Sequence, residues 1–148
     1  MEKQAPFIQR FDAINDAISM AYHNLSLKLG FSDGESMILY AMYDGEPVTQ
    51  KEITERTGMS KQTVSSAVRK LVQKGLLEPP EGLRNEPLRL TDRGRKAMRE
   101  RISLIVHVEN QVLSDWTSEE RQRFLLLNQR YLDRLRQEIS QLSVPEKE

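Results

Sequence analysis

The chain has no cysteine. That excludes a disulfide framework, thiolate metal sites and sensing through a reactive thiol, and it fits a cytoplasmic protein. Only two histidines, His23 and His107, are present, too few without cysteine for a usual metal site, so neither a metal nor any other cofactor is expected. No apolar run is long enough to cross a bilayer, and Met1-Glu2-Lys3-Gln4 lacks the apolar stretch of a secretory signal. Catalytic signatures are missing too. There is no Gly-x-Ser-x-Gly, no Walker-type loop and no dinucleotide glycine loop, so an enzyme is not expected.

Net charge is also lacking, with 22 basic against 22 acidic residues in 148. The distribution is uneven, however. Residues 51–101 hold 13 Lys/Arg against 7 Asp/Glu, and the remainder holds 9 against 15. Phosphate binding needs a concentrated positive face rather than a positive total, because attraction between charges is screened beyond about 8 Å at physiological salt.

Periodicity and punctuation supply the organisation. Residues 6–30 place Ile8, Phe11, Ile14, Ile18, Tyr22, Leu25 and Leu29 on one helical stripe. Pro6 suits its first turn and Gly30 its stop. Ser32-Asp33-Gly34-Glu35 and Thr49-Gln50-Lys51-Glu52 both have the spacing in which a hydroxyl and a carboxylate satisfy the free amides that open a helix. The first starts a helix ending near Asp44-Gly45, the second a short one over 50–57. Ser60 caps a helix running to about 74. Residues 76–90 place Leu76-Leu77 and Leu88-Arg89-Leu90 on either side of a Pro/Gly tip, which predicts a β-hairpin with its strands at an edge. Thr91 caps a long helix over roughly 92–115, and Thr117-Ser118-Glu119-Glu120 opens a last helix that ends before Pro145. The carboxylates of Glu119 and Glu120 are read as helix-dipole partners rather than as an acid/base pair.

The segment 46–94 carries the functional signal. A short helix, a turn at Gly58 and a second helix form a helix-turn-helix, with glycine able to take the positive φ that the turn demands. In the second helix Val64, Ala67, Val68 and Leu71 share one face. Gln62, Ser65, Ser66 and Arg69 project from the opposite one, with Lys61 and Thr63 flanking its start. Short polar side chains allow close approach to a major groove, and Gln and Arg make paired hydrogen bonds to base edges. The plainer alternative, an amphipathic helix with a solvated polar face, does not account for the capped helices, glycine turn, hairpin and local basicity together. A winged-helix protein-interaction module without DNA binding is the second functional reading, motivated by the neutral total charge.

The stretches Val48-Thr49-Gln50-Lys51-Glu52-Ile53, Gly58-Met59-Ser60-Lys61-Gln62-Thr63-Val64-Ser65, Leu71-Val72-Gln73-Lys74-Gly75-Leu76-Leu77-Glu78 and Leu90-Thr91-Asp92-Arg93-Gly94 resemble the MarR (multiple antibiotic resistance regulator) family of winged-helix transcription factors. The resemblance covers almost the whole chain. It implies a mainly α (α+β) fold, a winged helix-turn-helix lobe over 31–91, and dimerisation helices over 1–30 and 92–148. By the same resemblance the chain is a repressor that binds a pseudo-palindromic double-stranded operator as a homodimer. Ser60, Lys61, Gln62, Thr63, Ser65, Ser66 and Arg69 then face the major groove, and Arg84 in the hairpin faces the minor groove. The sequence departs from the family pattern at the wing, where Gly82 replaces the usual Asp, Pro79 stands where an Arg often follows the Glu, and the segment is about three residues short. Many members respond to small phenolic or anionic effectors, for which Tyr22, His23 and Tyr43 are the candidate residues. Apolar stripes on the first helix and on the last, where Leu125, Leu132, Leu135, Ile139 and Leu142 are interrupted by Asn128, require a cover that a two-fold dimer supplies.

Overall fold

The computed structural model describes residues 3–143; Met1, Glu2 and residues 144–148, Pro145 included, lie outside them. The helices are α1 (Pro6–Lys28), α2 (Asp33–Ala41), α3 (Gln50–Thr57), α4 (Lys61–Gln73), α5 (Asp92–Ala97), α6 (Ser103–Val112) and α7 (Ser118–Ser140). Packing divides the chain into two compact units, one ending at His107 and one beginning at Val108.

Each expected cap forms. Ser32 with Glu35, Thr49 with Glu52 and Thr117 with Glu120 are reciprocal capping boxes. The Ser60 and Thr91 hydroxyls accept from the amides of Thr63 and Gly94. Caps of this kind stabilise a helix start by about 1 kcal/mol each.

In the first unit α2, α3 and α4 pack around one core, with α1 against α2. Ile38, Leu39, Val48, Ile53, Val64, Leu71, Leu77 and Ile102 are essentially sealed from solvent. The close approach of α2 to α4 depends on a small pair: a Cβ on Gly34 would lie 3.2 Å from the Cβ of Ala67.

The structure corrects two expectations. The hairpin of residues 76–90 is reduced to isolated antiparallel bridges, Leu77 with Leu90 and Thr49 with Pro87. Pro79, Pro80 and Pro87 have no amide to donate, so a continuous ladder cannot form. The returning segment instead shares its bonds, with the Glu78 amide donating to Arg89 O and the Leu88 amide to Val48 O. The expected helix over 92–115 is interrupted by a π-helical turn at Met98–Ile102 and stops at Val112. That turn carries Met98 and Ile102 inward and leaves Arg99 and Arg101 outside.

In the second unit α7 buries none of its side chains. Trp116 packs edge-on against Phe124 at 5.3 Å between centroids, and Asn128 donates from Nδ2 to Phe124 O one turn back. No helix among the described residues is long and apolar enough to cross a membrane.

Candidate nucleic-acid interface

The turn between α3 and α4 is set by Gly58, whose φ of 70° and ψ of 3° lie in the left-handed region that L side chains rarely enter. Thr57 reinforces it, donating its hydroxyl to Ile53 O and accepting from the Met59 amide. Ser60 then caps α4, and its Oγ also lies 2.8 Å from Thr63 Oγ1. Two of the expected groove-facing hydroxyls are therefore partly committed to holding the helix start.

Along α4 the expected division of faces holds. Val64, Ala67, Val68 and Leu71 are buried, which anchors the helix along its length. Lys61, Gln62, Thr63 and Arg69 are exposed, whereas Ser65 and Ser66 are half-buried. A short side chain at either position lets a groove wall come close. Lys61 and Arg69 make no ion pair among the described residues. Their charge is therefore not neutralised by an ion pair among those residues.

Residues 78–90 follow an irregular path with Arg84 exposed at its tip and Asn85 at a φ of 55°. Sequence reasoning found no partner to order this tip once Gly82 replaced the usual Asp. The structure supplies Glu86. Its carboxylate accepts from the amides of Glu81, Gly82 and Leu83 at 2.9, 3.1 and 3.3 Å, gathering the loop around one anion. The Glu81 amide, outweighing partial burial, and then the other two amides and the Arg89 charge hold the Glu86 carboxyl below its ordinary pKa. The signal was a carboxylate four residues past a glycine in a Pro-rich loop, a spacing compatible with many loop geometries.

Glu86→Ala is expected to speed hydrogen exchange at the amides of residues 81–83 with only a small fall in the thermal midpoint. A depressed carboxyl orders the loop above its unfolded pKa and releases it as pH falls through the folded value. The wild-type amides are therefore expected to lose protection at acid pH, and NMR exchange reads both effects.

The three residues named for an effector come from α1 and from the turn after α2. His23 on α1 pairs through Nδ1 with the Asp33 carboxylate at 2.9 Å. Tyr22 precedes it on α1, and Tyr43 lies in the turn after α2. Among the described residues no group of three or more His, Asp or Glu is placed to hold a metal ion.

A capped short helix, a left-handed glycine turn, an anchored second helix with a polar outer face, and an arginine-tipped loop together define a winged helix-turn-helix. The comparisons with known proteins agree. A sequence model of the MarR family matches residues 29–84. The HTH-type transcriptional regulator TcaR of Staphylococcus aureus is 28% identical over 126 residues, covering 81% of this chain and 83% of that protein. NMB1585, a MarR family regulator from Neisseria meningitidis, superposes with a TM-score of 0.79 at 19% identity, covering 92% of this chain and 98% of that one. The S. aureus MepR–DNA complex gives 0.68 at 19%, covering 84% and 93%. Residues 29–84 thus match the MarR family, and the fold is that of the solved MarR family regulators.

Proposed function

We propose that this chain is a sequence-specific repressor that binds a pseudo-palindromic double-stranded DNA operator as a homodimer. The observation that carries this reading is the outer face of α4: exposed Gln62, Arg69 and Lys61 stand over a fully buried apolar face. In this reading Gln62 and Arg69 read base edges, Ser65 and Ser66 line the approach, and Ser60, Lys61 and Thr63 meet phosphate at the helix start. Arg84 enters the narrower groove, where a guanidinium is attracted by the concentrated negative potential. The cellular compartment is that of the DNA, the cytoplasm.

Dimerisation is supported by apolar surface left uncovered in each unit. On α1, Phe7, Ile14 and Ile18 are exposed, and on α7 so are Leu125, Leu132, Leu135 and Ile139. Rows of this kind call for a second copy, with segments 1–30 and 92–148 forming the dimer and 31–91 the DNA-binding lobe. Two recognition helices then lie about 34 Å apart, one DNA turn. Tyr22, His23 and Tyr43 offer hydroxyl and imidazole donors to a phenolic or anionic effector that releases the DNA.

Fluorescence anisotropy on the intergenic DNA flanking the gene tests this reading. Saturation is expected at two chains per site, with affinity falling steeply between 50 and 200 mM salt as counterions return. Gln62→Ala and Arg69→Ala are each expected to cost about 1–3 kcal/mol. Absence of any salt-dependent DNA binding would favour the protein-interaction module instead.

A further inference from the structure

A second concentration of positive charge lies away from the outer face of α4. The junction of α1 and α2, the end of α4 and the helical segment after Thr91 line an open-mouthed cavity of about 360 Å³. Gly30 and Phe31 form one side, and Lys74, Arg93, Lys96 and Arg101 converge on it with Glu100 as the one carboxylate in the lining. Lys74 is five residues beyond Arg69, which turns it roughly 140° around the helix from the base-reading face.

Two of the four cations, Lys74 and Arg101, are held there by structure. The buried Phe31 ring carries the Lys74 ammonium at 5.6 Å from its centroid and the Arg101 guanidinium at 5.7 Å. Arg101 also lies against Gly30, its Nη1 3.6 Å from where a Cβ on that glycine would sit. The π-helical turn, by shifting the register of the helix, is what leaves Arg101 on this side while Ile102 goes to the core. Neutralisation is incomplete. Glu100 lies 3.9 Å from Lys96, and Lys74 is paired with Glu35. Arg93 and Arg101 have no ion pair among the described residues. Concave walls focus the field of such a cluster, and the cavity has the size of a small-molecule site.

We propose that this cavity binds a small anion carrying a carboxylate or phosphate group, held by Arg93 and Arg101 and flanked by Lys74 and Lys96. Tyr22, His23 and Tyr43 are not among its lining residues, so it is distinct from the effector residues considered above. An anion here competes with Glu35 for Lys74, which is the C-cap of α4. Occupancy therefore bears on the end of the helix whose outer face is assigned to DNA. That consequence, unlike the binding itself, rests on the DNA-binding reading.

The test uses the full chain at constant ionic strength, with inorganic phosphate or benzoate replacing chloride. Thermal unfolding and NMR titration are expected to show saturable binding, with shifts at the Phe31 and Lys74 amides. Arg93→Gln/Arg101→Gln is expected to weaken it by about tenfold or more, and the single Arg93→Gln variant, altering one exposed side chain, gives the same direction should the double variant fold poorly. Affinity for DNA in phosphate-free buffer is expected to stay within about threefold of wild type. A response that does not saturate, or that the variants leave unchanged, overturns the proposal as a general salt effect. Loss of DNA affinity in parallel with the anion response also overturns it, by assigning the cluster to the DNA backbone. Failure of all DNA binding alongside intact anion binding would refute the repressor reading and leave this site standing.

Discussion

Gly94→Ala is expected to be the most damaging single substitution in the chain, costing about 3 kcal/mol or more. Gly94 is the third residue of α5, and a Cβ there would run into the backbone carbonyl of Leu76 and come within 3.1 Å of Leu90 Cδ2. The carbonyl has no freedom to retreat. It accepts from the Thr91 amide at 3.1 Å, while the Thr91 hydroxyl donates to Gly75 O at 2.6 Å and accepts from the Gly94 amide at 3.0 Å. The end of α4, the base of the wing and the start of α5 are thus locked at one crossing that only glycine fits. Against a total stability of about 5–15 kcal/mol, the loss is expected to lower the thermal midpoint by about 10 °C, followed by circular dichroism. A midpoint within about 2 °C of wild type would show that this crossing is not closely packed.

The second large effect concerns the Glu35–Lys74 pair, which joins the start of α2 to the end of α4. Glu35 is 2% exposed, accepts from the Ser32 amide at 2.9 Å and lies 2.7 Å from Lys74 Nζ. Burial pushes its carboxyl up; the Lys74 hydrogen bond, the Ser32 amide and the charges of Lys74 and Lys70 outweigh that and leave it below the usual 4.5. Lys74→Met strands the carboxylate without its partner and is expected to destabilise by about 2–4 kcal/mol, reduced from the fully buried case because the ammonium is half in water. Glu35→Gln keeps the shape and lets Lys74 hydrate, so a smaller loss of about 1–2 kcal/mol is expected. Because the folded pKa is depressed, the stabilisation is complete above pH 4.5 and is lost as pH falls through the folded value. Denaturant titrations from pH 7 to pH 3 are expected to give a shallower decline for Glu35→Gln than for wild type. Parallel declines would place the acid-labile contribution elsewhere.

Much of the fold was legible because its signals are local. A capping box is four residues with one geometry, so Ser32, Thr49 and Thr117 located three helix starts within the sequence. The inward set Val64, Ala67, Val68 and Leu71 followed from helical rotation alone. The wing was harder, because its three prolines bound a loop while denying it a ladder, and the carboxylate that orders it binds amides that no pattern of side chains predicts. The π-helical turn was invisible for a related reason. One extra residue in a helical turn leaves the apolar spacing of Met98, Ile102 and Ile105 compatible with an uninterrupted helix. The Glu35–Lys74 pair escaped because 39 residues separate partners that each have an ordinary local role, one in a cap and one in a last turn. Ser65 and Ser66 followed the predicted face, but their depth depends on neighbouring elements rather than on rotation about one axis.

The central claim is that the polar side of α4 distinguishes one base sequence from another. The most direct measurement is a competition assay at fixed salt, with labelled operator displaced by unlabelled operator or by a scrambled duplex, for wild type, Gln62→Ala and Arg69→Ala. The account predicts that wild type prefers operator by about a thousandfold or more and that each variant loses roughly 5- to 150-fold of that preference while retaining its affinity for scrambled DNA. Equal displacement by both duplexes, unchanged by either substitution, would contradict it.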